Sequence, residues 1–252
     1  MIRKMSFLVL SLLLIPAARA QSLDEVIAKY VIAHGGTEKM GAIQTRRMSG
    51  ELDVSSLHIK IVQENKRPDK VREEDSLQGF TQVQAYNGKT GWQVDPTQGR
   101  KQAQLMSADD SKNLVVDADM DGPLVNYKQK GHTAELVGHD PVEGTDCFKI
   151  KLTLKNGDIR YYYLDADSFL EIKLETQTSI RGSIQESETY FGDYEKVDGL
   201  YYPFAIETGQ KGDPNRVRIN IDKVEHNVPI DDAHFAVPTT TAAPAKTPGS
   251  PN

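Results

Sequence analysis

The sequence predicts a mainly β protein with short helices, in which about eleven antiparallel strands form one large sheet. Three segments, residues 148–154, 170–175 and 217–222, alternate apolar and polar residues. This period of two gives a strand one apolar face and one polar face. Short turns connect nearly all of the predicted strands, which is typical of an antiparallel meander. We therefore expect a continuous apolar face, and the function depends on what covers or enters it.

The first twenty residues are predicted to be a signal peptide. Arg3 and Lys4 precede the apolar run Phe7–Ile15, and the small-residue pattern of a cleavage site follows, ending at Ala20. The apolar run is too short to span a bilayer, although an uncleaved membrane anchor is the alternative reading. We expect residues 1–20 to be removed after Ala20 and the protein to be exported.

At the other end, residues 239–252 are rich in Pro, Thr and Ala and are predicted to be a disordered tail. Residues 21–238 then form a single domain. Residues 1–20 contain three basic residues and no acidic ones, so their removal changes the formal net charge from −6 to −9. A chain this acidic is a poor match for nucleic acid. The single cysteine, Cys147, is expected to be an unreactive free thiol.

The domain is predicted to begin with a helix. Ser22 and Glu25 have the spacing of a capping box, and apolar residues recur at helical spacing from Leu23 to Val31. The helix should end near Gly35, because glycine readily takes the left-handed conformation found at helix C-termini. Thr37 is expected to cap a second short turn.

Strands follow this helix, separated by turn residues. Asn87-Gly88 is the strongest turn signal and joins a strand at Phe80–Tyr86 to a strand at Gly91–Asp95, which contains Trp92. The other predicted strands are 43–54, 57–64, 70–75, 133–137, 147–154, 158–164, 170–178, 184–194, 200–207 and 215–226. Alternation assigns to the apolar face Phe148, Ile150, Leu152, Leu154, Ile172, Leu174, Val217, Ile219 and Ile221.

Residues 107–127 interrupt the strands and are predicted to form two short helical pieces divided at Pro123. Several aspartates keep one side of this segment in water, so its apolar residues should face the sheet. Those residues are Leu114, Val115, Met120, Leu124 and Val125. Gly122 and Pro123 form a natural hinge. The segment is either a mobile lid or a fixed plug that completes the core.

No motif for catalysis, cofactor binding or metal binding is present. The sequence contains no HExxH, GxSxG, GxGxxG or P-loop pattern, and its six histidines show no paired ligand spacing. Residues 117–122 carry alternating aspartates and a glycine like the start of a calcium loop, but Lys128 stands where the closing glutamate belongs. We interpret these aspartates as a solvated turn, and we expect no enzyme activity, no cofactor and no metal.

Several motifs occur in an order that resembles the LolA/LolB-like family, in particular the outer membrane lipoprotein-sorting proteins. They span residues 22–238 and comprise Ala33-His34-Gly35-Gly36, Lys66-Arg67-Pro68-Asp69-Lys70-Val71-Arg72, Tyr86-Asn87-Gly88-Lys89-Thr90-Gly91-Trp92, Tyr163-Leu164-Asp165, Leu170-Glu171-Ile172-Lys173, Gly192-Asp193-Tyr194 and Val197-Asp198-Gly199-Leu200-Tyr201-Tyr202-Pro203. The resemblance implies an incomplete, unclosed β-barrel with a helical lid formed by residues 107–127. It also implies a periplasmic carrier that holds lipid or lipoprotein acyl chains in an apolar hollow.

The resemblance and the alternation together suggest which side chains touch the ligand: Trp92, Leu114, Val115, Met120, Leu124, Val125, Ile150, Leu152, Ile172 and Leu174. For Trp92 two positions remain open, since it can line the hollow or close the end of the barrel. A membrane-associated donor or acceptor protein is a further expected partner. The alternative function is a periplasmic sensor or interaction module on the same fold, which detects lipid or protein and signals to a partner.

Overall fold

A computed structural model describes residues 21–238, so the expected signal peptide and the expected C-terminal tail lie outside the described residues. Three short α-helices are present: α1, Leu23–Ala33; α2, Thr37–Ala42; and α3, Lys112–Asp117. The Ser22 hydroxyl accepts a bond from the Glu25 amide while the Glu25 carboxylate accepts one from the Ser22 amide, which confirms the capping box. None of the described helices is long and apolar enough to cross a membrane.

Thirteen strands make one antiparallel sheet. They are β1, Thr45–Val54; β2, Leu57–Lys66; β3, Lys70–Leu77; β4, Phe80–Tyr86; β5, Gly91–Asp95; β6, Arg100–Leu105; β7, Thr133–His139; β8, Cys147–Thr153; β9, Ile159–Asp165; β10, Glu171–Ile180; β11, Ser183–Val197; β12, Leu200–Gln210; and β13, Val217–His226. Strand β6 is not among the predicted strands, because four of its six residues are polar and the alternation in Gln-Ala-Gln-Leu is too short to indicate a strand.

The order of strands in the sheet is β6-β5-β4-β3-β2-β1-β13-β12-β11-β10-β9-β8-β7. Two meanders, β1–β6 and β7–β13, are thus joined by the pairing of the first strand with the last. Gln63 on β2 and Arg160 on β9 line one cavity although six strand positions separate them, a distance of about 29 Å in a flat sheet. The sheet therefore curves around a hollow. Its edge strands β6 and β7 do not pair, so the barrel is unclosed.

Helix α1 packs against the inner face of β8 and β9. This main core contains Val26, Ile27, Tyr30, Leu124, Val125, Tyr127, Phe148, Ile150, Leu152, Leu154, Tyr162 and Leu164. The predicted apolar face of β8 is confirmed, because Ile150 and Leu152 are fully buried there. Cys147 points to the opposite face, where it is buried beside Tyr163, and burial raises the pKa of its thiol.

A β-bulge on β10 changes the predicted face of one residue. Glu171 pairs with Leu164 and Lys173 pairs with Tyr163, so Ile172 is an extra residue without a partner on β9. Leu174 consequently remains on the inner face against the main core, whereas Ile172 packs on the outer face near Cys147. The shared face predicted for Ile172 and Leu174 is therefore wrong, since a bulge breaks the period of two.

Residues 106–132, which we name the crossing segment, connect the two edge strands along the inner side of the sheet. The segment contains one helix, α3, rather than the two predicted helical pieces, and turns follow it. Leu114 packs with Val71 and Ala118 in a second small core. Leu124 and Val125 belong to the main core. The segment therefore bridges the two halves of the curved sheet.

Candidate ligand-binding hollow

The inner side of the sheet encloses a hollow with two adjoining cavities. The first has a volume of about 300 Å³ and lies between the crossing segment, α1, α2 and the strands β1, β2, β9, β10, β11 and β12. The second, of about 800 Å³, extends along β10, β11 and β12. Asp117, Arg160 and Leu174 border both cavities. The sizes fall in the range of small-molecule sites, about 300–1,000 Å³.

Apolar side chains cover part of the first cavity. The crossing segment supplies Val116 and Met120, and the sheet supplies Leu174, Phe191 and Tyr162. Met120 has a flexible, polarizable side chain that adapts to ligands of different shape. This part of the hollow is suited to hydrocarbon.

The second cavity is polar, which differs from the uniformly apolar hollow expected from the sequence. Its wall carries hydroxyl and amide side chains at the inward positions of β10, β11 and β12: Thr176, Thr178, Gln185, Ser187, Thr189, Thr208 and Gln210. Neighbouring hydroxyls bond across the strands, with 2.7 Å between Thr176 and Ser187 and 2.9 Å between Thr189 and Thr208. The hollow as a whole is amphipathic.

Arg67 fastens the crossing segment to α2. Its guanidinium donates two hydrogen bonds to the Asp121 carboxylate, at 2.6 and 2.8 Å. It also donates to the carbonyl oxygens of Ile43 and Met40, at 2.7 and 2.8 Å. The bonds to Asp121 raise the pKa of Arg67 further. One side chain thus connects three parts of the chain at the mouth of the first cavity.

The aspartates of the crossing segment do not form the solvated turn that we expected. Asp121 pairs with Arg67, and Asp119 pairs with Lys130 at 2.6 Å. Asp117 lines both cavities and its side chain is accessible from the hollow, although the surrounding sheet encloses it. Enclosure raises the pKa of Asp117, and the positive charges of Arg160 and Arg46 oppose this rise.

A second polar network lies where α1 meets β10 and β11. The imidazole Nε2 of His34 is 2.8 Å from the Glu171 carboxylate, and Tyr30 donates a 2.8 Å hydrogen bond to the same carboxylate. Tyr194 adds a bond to the backbone carbonyl of Glu171. Gly35 allows the end of α1 to approach the turn between β11 and β12, because a Cβ at this position would lie 2.5 Å from the carbonyl oxygen of Gly199.

This network has a defined pH dependence. Burial lowers the pKa of His34, but the charge and hydrogen bond of Glu171 outweigh it and the net shift is upward. Burial raises the pKa of Glu171, and His34 reverses the shift to a net lowering. The histidine contribution to stability is complete below its unfolded pKa of 6.5 and is lost as pH rises through the folded pKa. The glutamate contribution is present above its unfolded pKa of 4.5 and is lost at lower pH.

We therefore expect His34→Gln to lower the melting temperature most between about pH 5 and 6.5, where both groups are charged, and less at about pH 8. Thermal unfolding of the protein and the variant across this range measures the difference. A difference that stays constant from pH 5 to 8 would contradict the ion pair.

Apart from Trp92 and from Ile172, which lies on the outer face, the expected ligand-binding residues fall into three groups. Met120 and Leu174 line the first cavity. Leu114, Leu124, Val125, Ile150 and Leu152 are at most 2 % exposed and lie in the packed cores beside the hollow. Val115 points to solvent and is 43 % exposed, while its neighbour Val116 faces the cavity. Helical spacing could not choose between Val115 and Val116, since a six-residue helix has too few turns to define a face.

Trp92 lies on the face of the sheet that is opposite to α3. It packs with Val83, Ala85 and Val237, and its indole Nε1 donates a 2.9 Å hydrogen bond to the carbonyl oxygen of Phe235. Of the two positions left open for Trp92, this packing favours a structural one, because the segment that follows β13 covers it and it lines neither cavity.

Tryptophan emission should consequently not respond to a ligand in the hollow. We expect neither a wavelength shift nor quenching when the protein is titrated to saturation with a non-fluorescent fatty acid, since Trp92 is 1 % exposed and outside both cavities. A saturable shift in emission that follows the binding isotherm would show that ligand contacts or rearranges this face.

One group of possible metal ligands occurs among residues 21–238. Glu51, Asp53 and His58 meet on the β1–β2 hairpin, with their ligand atoms within 4.8 Å of one another. The imidazole Nδ1 of His58 already contacts both carboxylates, at 2.6 and 2.7 Å. The hydrogen bond to Asp53 raises the pKa of His58, which favours the charged imidazole beside the two carboxylates.

No protein-family model matches this sequence, and no curated protein matches it either. Solved structures share its fold. A DUF1329 family protein from Desulfovibrio piger superposes with a TM-score of 0.58 at 13 % identity, covering 84 % of this chain and 96 % of that chain. A domain named for outer membrane lipoprotein sorting, from Vibrio parahaemolyticus, gives 0.56 at 10 % identity, covering 84 % and 94 %. A LolA superfamily protein from Nitrosomonas europaea gives 0.56 at 11 % identity, covering 83 % and 96 %.

Proposed function

From the LolA-like fold that this chain shares with those structures, we propose that it is a periplasmic carrier for the acyl chain of a lipid or lipoprotein. The observation that carries the proposal is the amphipathic hollow beneath the crossing segment, where Met120 and Leu174 border the same cavity as Arg160. A hollow with hydrocarbon and polar walls suits an amphiphile, which has one end of each kind. The protein is proposed to have no catalytic role.

The binding step follows from burial. Each methylene transferred from water to the apolar wall contributes about 0.8 kcal/mol, so affinity grows with the length of chain enclosed. An acyl chain longer than the first cavity would need the crossing segment to move, because the segment forms one wall. Release to a membrane-associated acceptor would use the same movement, and a sensor would instead transmit it to a partner.

A matched pair of variants tests the proposal. Leu174→Gln places an amide in the wall between the cavities, whereas Val137→Gln changes a valine that is 52 % exposed on β7. We expect Leu174→Gln to weaken binding of a fluorescent fatty acid about tenfold and Val137→Gln to leave it unchanged. Equal affinities in all three proteins would place the ligand elsewhere, and no binding at any concentration would refute the carrier.

Mass spectrometry of the protein purified under native conditions from periplasm would identify the bound amphiphile. Acceptor vesicles then separate the two functions. A carrier releases its lipid to vesicles at a rate that rises with vesicle concentration, whereas a sensor retains it. Absence of any co-purified lipid, together with no uptake of added fatty acid, would contradict both.

The crossing segment is expected to behave as a lid. Hydrogen exchange at residues 107–127 should be faster than in β8 and β9 when the hollow is empty, since turns rather than ladder bonds hold most of this segment. Saturating fatty acid should slow it. Equal and strong protection with and without ligand would identify a fixed plug.

A further inference from the structure

Arg160 is a guanidinium on the inner face of β9 that forms no hydrogen bond or ion pair with any residue the structure describes. It borders both cavities, next to Leu174. Its Nε is shielded from solvent and has no acceptor within the described chain. A shielded donor without a partner lowers stability, so an acceptor that enters the hollow gains a hydrogen bond that the protein itself does not supply.

Arg46 on β1 lies beside the same cavity and shares this feature. One of its terminal nitrogens donates a 2.9 Å hydrogen bond to Asn65, and its guanidinium lies 5.8 Å from the Tyr202 ring. Its Nε, like that of Arg160, is shielded and lacks an acceptor among the described residues. The sheet thus presents two incompletely bonded guanidinium groups to one cavity.

The surrounding charges leave this site net positive. The Asp117 carboxylate interacts electrostatically with both arginines, but it lies too far from either to form an ion pair within 4.0 Å. Glu73 on β3 accepts a hydrogen bond from the Gln63 side chain. Burial is the main cause that raises the pKa of Glu73 to about 7, and the nearby charge of Asp117 adds to this rise. Asp119, Asp121 and Glu171 are paired with Lys130, Arg67 and His34. The two arginines therefore face two carboxyl groups, Asp117 and Glu73, whose charged forms are both disfavoured.

We propose that Arg160, with Arg46, binds the anionic head group, a carboxylate or a phosphate, of the amphiphile in the hollow. Guanidinium groups bind both anions through two parallel N–H bonds, which fix orientation as well as position. The hydrocarbon chain would then lie along Val116, Met120, Leu174 and Phe191. This inference rests on the proposed carrier function and specifies its ligand class.

Head-group chemistry and arginine variants test the site together. Binding of a fluorescent fatty acid and of its uncharged methyl ester is measured for the protein, Arg160→Gln, Arg160→Lys and the control Arg218→Gln, an exposed arginine on β13. We expect the unmodified protein to bind the acid at least tenfold more tightly than the ester. Arg160→Gln should remove this preference and leave the affinity for the ester unchanged. Arg160→Lys should keep part of the preference, because it retains the charge. Arg218→Gln should match the unmodified protein.

A calorimetric titration with inorganic phosphate distinguishes binding of a free anion from binding of a head group. The anion site would be overturned if the protein bound acid and ester equally, or if Arg160→Gln weakened the binding of both equally. Either result would leave the carrier function standing. If no amphiphile binds but phosphate binds the protein and not Arg160→Gln, the anion site stands and the carrier function fails. No binding of acid, ester or phosphate would overturn both.

Discussion

Leu152→Asp should leave the protein unfolded. Leu152 lies on β8 and is completely buried in the main core, where this strand packs against α1. The substitution removes an apolar side chain worth about 2–5 kcal/mol and requires a carboxylate to enter an apolar site or to remain protonated. A domain of this kind has about 5–15 kcal/mol of total stability, so little or none would remain. Far-ultraviolet circular dichroism and thermal unfolding measure the outcome.

Val137→Asp is the matched control for this experiment. Val137 lies on the adjacent strand β7 and is 52 % exposed, so the same new charge remains in water. We expect its stability to change by about 0.5 kcal/mol or less. A folded Leu152→Asp protein with an unchanged melting temperature would show that β8 faces the other way.

Arg67→Ala should release the crossing segment. The substitution leaves the Asp121 carboxylate without its cation and the carbonyls of Met40 and Ile43 without a donor. Removing one partner of a buried ion pair lowers the free energy of unfolding by about 3–5 kcal/mol. For Arg67→Ala we expect a loss of about 2–4 kcal/mol, because the side chains of Arg67 and Asp121 are about one fifth exposed. Thermal unfolding measures the loss. Hydrogen exchange should also quicken in residues 117–125.

Two further variants separate charge from geometry. Arg67→Lys retains the charge but cannot reach Asp121 and two carbonyls at once, so it should recover only part of the stability. Arg181→Ala removes an ion pair between Asp110 and the β10–β11 turn, where the arginine is 72 % exposed. Its effect on stability should be much smaller than that of Arg67→Ala, because water screens an exposed ion pair. Equal losses for Arg67→Ala and Arg181→Ala would contradict the fastening role of Arg67.

Local sequence patterns determined most of the secondary structure. The alternation in residues 148–154 predicted β8 and its buried face, since a strand repeats every two residues whatever packs against it. The spacing of Ser22 and Glu25 predicted the start of α1, because a capping box involves only four consecutive residues. Asn87-Gly88 predicted the β4–β5 hairpin for the same reason. Such signals depend on neighbours in the chain and can be read from it directly.

Tertiary structure decided the site. Alternation shows that Trp92 has a face, but only its packing with Val83, Ala85 and Val237 shows that this face lies away from the hollow, under the segment after β13. The bulge at Ile172 is defined by the pairing of β10 with β9, a strand partner that the sequence of β10 alone does not specify. Arg67 and Asp121 are 54 residues apart, and Arg46 and Arg160 border the same cavity only because the sheet curves. Charge pairing across such separations depends on where the backbone brings side chains together, and no local period encodes it.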